Sequence, residues 1–315
     1  MPLLTRPLFA NIKQDFCGAL LEFIGTFFFL TLAYGGVQAT TSAGGVGQPA
    51  PNALNVFIAS VNFGFSLLVS AWLFYRVTGG LFNPNVSLAL FLAGVIGPVR
   101  FVLYCIAQLA GAIAAAAVIL ALSPGPCSYN TRLQEGINPA QGVFIEMFVT
   151  SYLVLAVLML AVEKHHVTPF APVGIGLTLF VCELWSIYYT GGAVNTARAF
   201  GPAVVTGFPY GTQWVYWVGP CLGSLLGVSF YMILKHWNYW VINPDQAVTD
   251  TSLSPPDPVL VIQQRAASLR RRPTDSGEQI RPRNGKPQTA ANGSTGETQN
   301  GTPENHQEAS QGSMV

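Results

Sequence analysis

Charge is what this chain lacks. Before residue 241 it holds eight Lys or Arg and six Asp or Glu, set singly among Phe, Leu, Val, Ala and Gly. So thin a distribution excludes a nucleic-acid-binding surface or a path for acidic substrates, and it is the balance of a membrane protein. The net charge of +1 conceals a split, because seven of the 15 basic residues lie beyond Asn243 in a polar tail. Cysteine is also scarce: Cys17, Cys105, Cys127, Cys182 and Cys221 form no close pair and no metal-ligand spacing, so neither a disulfide framework nor a metal or cofactor site is expected. No nucleophile–base constellation and no nucleotide loop is present, which removes the basis for reading the chain as an enzyme. A cleavable signal is missing too. The apolar run after Asp15 is too long for one and is interrupted by Glu22, so it reads as a retained helix.

What the sequence does have is six apolar runs, roughly 16–38, 54–77, 99–122, 140–162, 170–190 and 213–235, each near the ~20 residues a helix needs to cross a bilayer. Two shorter pieces, 83–92 and 195–205, cannot span and read as half-helices whose irregular entry must be sheltered inside protein. Pro98 and Pro202 are expected to end or bend the chain near their far ends. Between the runs, one side receives Arg6, Lys13, Arg76, Arg100, Lys164, Lys235 and the tail arginines, while the other receives Arg132 apart from Arg198 in the second half-helix. The excess of positive charge places both termini in the cytoplasm, with one half-helix entering from each side. The expected fold is therefore an all-α membrane protein of six transmembrane helices plus two re-entrant half-helices in an inverted repeat, with Glu22 and Glu146 at matching places.

Three regions follow: a short cytoplasmic N-terminal segment (1–15), a channel domain (16–242) and a polar cytoplasmic tail (243–315) whose composition predicts disorder. In the tail, Arg265 to Ser268 and Arg270 to Arg272 make a candidate kinase site at Ser268, a patch for anionic lipid, or a merely solvated stretch. Asn292 and Asn300 match the glycosylation pattern, although an expected cytoplasmic position argues against its use. His165 and His166, in the loop after the fourth span, either sense pH or are simply solvated.

The chemistry lies in a repeated segment, Thr78-Gly79-Gly80-Leu81-Phe82-Asn83-Pro84-Asn85 and Thr190-Gly191-Gly192-Ala193-Val194-Asn195-Thr196-Ala197. Each half-helix begins at an asparagine, whose side-chain oxygen caps orphan backbone N–H groups and leaves its NH2 to donate into a central cavity. Two helix N-termini meeting there repel a cation or hydronium while Asn83 and Asn195 orient a passing water. Pro84 suits a first-turn position, Thr196 lacks that rigid start, and Asn85 either bonds across to the other half-helix or satisfies local backbone. Arg198, isolated among apolar residues, is expected to face the pore or to bond loop carbonyls. Glu22 and Glu146 are expected to accept hydrogen bonds from the backbone of the two re-entrant loops. A coupled transporter built on the same repeat would need an ion-binding set, for which Glu183 is the candidate.

These residues together resemble the aquaporins, the major intrinsic protein family. The resemblance covers about residues 16–235 and rests on two variant signature boxes, Asn83-Pro84-Asn85 and Asn195-Thr196-Ala197-Arg198. Glu22-Phe23-Ile24-Gly25-Thr26, Gln108, Glu146 and Trp217-Val218-Gly219-Pro220 support it, and the long polar tail is most like that of fungal members. It implies a homotetramer in a lipid bilayer, in the plasma membrane, with a pore in each subunit, and it groups Gln108 with Glu22 and Glu146 as loop support. Spacing carried over from the family puts its narrow filter at Phe63, Glu183, Gly192 and Arg198. Water-selective members usually have histidine where Glu183 stands and a larger residue at Gly192. Three placements of Glu183 are open: paired with Arg198 and narrowing the filter, facing the lumen and offsetting the arginine, or turned aside so that Trp185 or Ser186 lies nearer the pore. Ala199 and Ala203, where glycerol facilitators carry an aspartate and a basic residue, favour water, as do the bulky Tyr216 and Trp217. Gly192 and the changed second box leave room for glycerol or hydrogen peroxide.

Overall fold

The computed structural model describes residues 9–43, 53–247 and 254–270. Within residues 1–249, which form one unit, the helices are α1 (Ile12–Ala43), α2 (Ala53–Phe74), α3 (Pro84–Leu92), α4 (Pro98–Leu122), α5 (Pro139–Val157), α6 (Ala171–Thr190), α7 (Thr196–Val205) and α8 (Val215–His236). A π-helical turn, Leu158–Val162, prolongs α5, and a 3₁₀ turn, Thr168–Phe170, leads into α6. Six of these rods are long and apolar enough to cross a membrane, and α3 and α7 are the two that are too short. Large apolar side chains such as Phe28, Leu32, Phe57, Ile106, Leu225 and Phe230 are exposed on the outside of the bundle, as lipid contact requires.

Local chemistry sets the helix starts. Pro84, Pro98 and Pro139 each open a helix, where the absent N–H costs nothing. At α5, Asn138 and Gln141 form a reciprocal cap, each side chain accepting the other's backbone N–H at 2.9 Å. Pro98 thus begins α4, after α3 has already ended at Leu92. Pro202 differs more from expectation, because α7 runs through it to Val205. A proline removes the N–H that would bond the carbonyl four residues back, here that of Arg198. The Tyr34 hydroxyl donates to that carbonyl instead, at 2.8 Å. In α8, Pro220 likewise frees the Tyr216 carbonyl, which has the Thr196 hydroxyl 3.0 Å away.

The packing repeats with a reversal of direction. Helix α1 packs on α4 as α5 packs on α8, and α2 crosses α6 between the two halves. At that crossing, a Cβ on Gly64 would come within 2.9 Å of the Gly176 carbonyl, and one on Gly176 within 2.7 Å of the Gly64 carbonyl. Only glycine on both helices lets the backbones approach this closely. Residues 250–315 form a separate unit. Its described part carries a helix, α9 (Pro258–Arg270), inside the stretch whose composition predicts disorder. Ser268 is exposed there and donates to the Arg265 carbonyl. Arg271, Arg272, Asn292 and Asn300 lie outside the described residues.

Candidate pore

The two Gly-rich loops are the same structure made twice. Gly79 and Gly80 have φ of 97° and 65°, and Gly191 and Gly192 have 79° and 62°. Phe82 and Val194 follow in the same sparsely populated left-handed region, at 51° and 53°. For a β-branched residue that conformation is costly, so something must over-determine it. Two carboxylates do so. Glu22 accepts from the backbone N–H groups of Leu81 and Phe82 at 3.2 and 2.8 Å, from the Thr78 hydroxyl at 2.5 Å and from Gln108 Nε2 at 2.9 Å. Glu146 accepts from Ala193 and Val194 at 3.0 and 2.8 Å and from the Thr190 hydroxyl at 2.6 Å. Both are fully buried and both lie on the first helix of their repeat. Gln108 also donates to Ser87 in α3, tying α4 to the first half-helix.

Each loop ends on its asparagine in extended backbone. Asn83 Oδ1 accepts from Asn85 N at 2.8 Å, and Asn195 Oδ1 from Ala197 N and Arg198 N at 2.9 and 3.3 Å. The amide groups cross between repeats: Asn83 Nδ2 donates to the Val194 carbonyl at 3.0 Å, and Asn195 Nδ2 to the Phe82 carbonyl at 2.8 Å. Each NH2 has two hydrogens. One therefore pins the opposite loop, and the other remains for the cavity that both asparagines line.

The variant box residues join each other and not the cavity. Asn85 is buried, and its Oδ1 accepts from the Thr196 backbone N–H at 2.9 Å. The Thr196 hydroxyl stands within 2.9 Å of the same oxygen and 3.0 Å of the Tyr216 carbonyl. Asn85 Nδ2 reaches Cys221 Sγ at 3.6 Å, and Ser224 donates to the Asn85 carbonyl. Pro84 and Ala197 complete the first turns of α3 and α7.

A cavity of about 380 Å³ runs along this junction. Phe63, Asn83, Val86, Glu183, Asn195 and Arg198 line it, together with Tyr75, Ile96, Arg100, Tyr104 and Lys164. Most of its wall is aliphatic. The Arg198 guanidinium is held by two loop carbonyls, those of Tyr129 at 2.8 Å and Gly191 at 3.1 Å, and lies 4.7 Å from the Phe63 ring centroid. The residue thus lines the cavity while bonding loop carbonyls. Tyr129 stacks on Tyr34, so the loop before α5 is locked against α1. Nothing in the sequence marks Tyr129, since it acts through its backbone oxygen.

Glu183 lines the cavity, fully buried, and no ion pair joins it to Arg198: among the described residues the ion pairs are Arg100–Asp15 and Lys235–Glu163. Its Oε2 is 3.4 Å from the Ser186 hydroxyl, and its Oε1 has no hydrogen-bond partner in the protein. Trp185 is turned outward and exposed. Gly192, the fourth residue of the expected filter, does not line the cavity.

Comparison with known proteins places this geometry in a family. Residues 12–231 match the major intrinsic protein family. Aquaporin-1 of Laccaria bicolor is 59% identical over 264 residues, covering 83% of this chain and 85% of the relative. Aquaporin-2 of Botryotinia fuckeliana (strain B05.10) is 49% identical over 242 residues, covering 75% and 63%. Among solved structures, the aquaglyceroporin from Plasmodium falciparum superposes with a TM-score of 0.60 at 22% identity over 72% of this chain and 99% of that one, which is a likeness of fold.

Proposed function

We propose that this chain, which belongs to the major intrinsic protein family, is a passive channel for water that excludes protons and ions. Its fold is that of a multi-pass membrane channel and not of an enzyme. The observation that carries the solute reading is the cavity in which Asn83 and Asn195, each capping a half-helix, meet between apolar walls. A molecule passing there finds amide donors at one level and hydrocarbon on the remaining sides. It must turn its oxygen toward the amides, which breaks a chain of waters able to relay a proton. The positive ends of α3 and α7 and the charge of Arg198 oppose cations, the barrier described for aquaporin-type pores in general.

Further support comes from Arg198, whose guanidinium is committed to the Tyr129 and Gly191 carbonyls and does not fold onto Glu183 to close the filter. The lysine and arginine distribution supports cytoplasmic termini, and the plasma membrane is the location proposed from the family resemblance. The exposed outer faces of the helices are consistent with four copies side by side in a bilayer, each with its own pore. Osmotic shrinkage of vesicles carrying the purified protein, followed by light scattering, tests the reading. A rate no faster than that of empty vesicles overturns it.

A further inference from the structure

Helix α9 has a built start and an uncovered apolar face. The Asp257 carboxylate accepts the backbone N–H of Val259 at 2.8 Å, and Pro258 takes the first helical position. A helix of 13 residues is nevertheless marginal in water, and Val259, Val261 and Ile262 add β-branched side chains that lower its propensity further. Val259, Leu260 and Ile262 are 58%, 53% and 66% exposed. Val259, Ile262 and Ala266 recur at spacings of three and four, which gathers them on one face, while Gln264 and Ser268 take the opposite one. Arg265 stands at the edge between the two. So short a helix needs a surface to lie against, and charge says which kind. Residues 258–272 hold four arginines, Arg265, Arg270, Arg271 and Arg272, and no Asp or Glu. Arginines beside an apolar face lay their stems along hydrocarbon and put their heads among lipid phosphates. A bilayer is also always near. Helix α8 ends where Trp237 and Trp240 are exposed, the aromatic edge that a spanning helix presents at the lipid–water boundary. The ten residues 248–257 that follow Ala247 reach at most about 35 Å when extended. A soluble partner has to arrive by diffusion, whereas a tethered lipid surface is present at high effective concentration.

We propose that α9 is a membrane-surface helix that docks on a leaflet rich in anionic phospholipid such as phosphatidylserine. Val259, Ile262 and Ala266 turn toward the acyl chains, and the arginines sit among the headgroup phosphates. Each arginine near such a surface raises the docked population by about fivefold, so most of the binding comes from charge. The apolar face is too small to hold the helix on neutral lipid by itself. Docking therefore follows the charge of the lipid and is screened by salt.

Amide hydrogen exchange over residues 258–270 tests this in the full-length protein, reconstituted in nanodiscs of phosphatidylcholine alone or of phosphatidylcholine mixed with phosphatidylserine. Both leaflets of a disc carry the same lipid, so the result does not depend on which side of the membrane the tail occupies, nor on what the pore conducts. Exchange is expected to slow by about tenfold or more in the mixed discs relative to the neutral ones, and to speed up again at high salt. Arg265→Gln combined with Arg270→Gln is expected to return exchange most of the way to the rate in neutral lipid. Ile262→Asp, which leaves every arginine in place, is expected to do the same, because the apolar face can then no longer insert. Equal exchange in the two lipids overturns the proposal: if fast in both, the helix has no lipid partner, and if slow in both, a protein surface of this chain or of a second copy holds it. Fast exchange in both that slows on adding calmodulin, an acidic helix-binding protein, overturns it in favour of a protein partner. Protection by soluble glycerophosphoserine equal to that by the mixed discs, or protection retained in Ile262→Asp, overturns docking on a bilayer surface.

Discussion

Asn85 Oδ1 accepts the backbone N–H of Thr196 across the junction of the two half-helices, at 2.9 Å. The two departures from the usual boxes are therefore one feature. A proline at 196 would have no N–H to satisfy, and threonine exposes one at a buried helix start. Asparagine at 85 supplies the acceptor, and the threonine hydroxyl in turn serves the Tyr216 carbonyl that Pro220 has freed.

From this pairing, Asn85→Ala is expected to destabilise the fold by about 1–3 kcal/mol, the cost of leaving a buried N–H unsatisfied. The same change made on a Thr196→Pro background is expected to cost less, because the orphaned donor no longer exists. Thr196 sits at the first helical position and follows a residue already in extended backbone, so proline fits there sterically. Thermal unfolding of the two single variants and the double variant measures the coupling. Additivity to within about 0.5 kcal/mol refutes it.

Glu22→Gln and Glu146→Gln are each expected to destabilise strongly despite their equal size. Both oxygens of Glu22 accept a backbone N–H, from Leu81 on one and Phe82 on the other, and Glu146 does the same with Ala193 and Val194. Whichever way a glutamine amide is turned, its NH2 confronts a backbone donor that cannot reverse. A cost of about 2 kcal/mol or more follows for each, from one buried donor unpaired and a left-handed residue released. A detergent melting curve unchanged in either variant contradicts this account.

The sequence carried the half-helices and the carboxylates well, for reasons visible at single residues. Asn83 and Asn195 are recognisable as caps because an N-cap needs only its own side chain and the next turn. Glu22 and Glu146 are legible because a lone carboxylate in an apolar run must find donors. The repeat itself pointed to which loop each would serve. Glu183 was less legible, since its position depends on where the helix axis of α6 lies relative to the loop bearing Gly192, a relation no spacing encodes. The Tyr129 carbonyl and the Tyr34 hydroxyl are unmarked in the sequence for a similar reason: one acts through backbone and the other answers a proline on a different helix. The helix Pro258–Arg270 within the polar tail had only composition to predict it, and composition averaged its Val259 to Ile262 run with the polar residues around it.

Arg198→Ala is expected to let cations through and to loosen the loop at once. The side chain supplies the charge beside Phe63, and it also satisfies the carbonyls of Tyr129 and Gly191. Water conductance is expected to persist while proton and sodium leak rise above wild type, measured as current across planar bilayers. Stability is expected to fall by about 1–3 kcal/mol as the two carbonyls lose their donors. A variant as cation-tight as wild type places the ion barrier entirely in the half-helix termini and the asparagines.

At the far end of α5, Glu163 follows the π-helical turn and gathers Tyr231, Lys235 and Tyr239. Burial on its own would raise the pKa of this carboxyl; the hydrogen bonds from Tyr231, Lys235 and Tyr239 and the charge of Lys235 outweigh it, and the group titrates below its ordinary value. A folded-state pKa below the unfolded one stabilises the protein above the unfolded value, and that contribution is lost as pH falls through the folded value. Glu163 is thus expected to hold the chain after α8 against the α5–α6 connection at neutral pH and to release it in acid. Glu163→Gln is expected to melt below wild type at about pH 7 and to converge on it once the carboxyl is protonated, below about pH 4. Melting temperatures of the two proteins across that range decide the matter. A gap that stays constant with pH means that the carboxylate charge contributes nothing to the clamp, and that Tyr231 and Tyr239 hold the segment through packing alone.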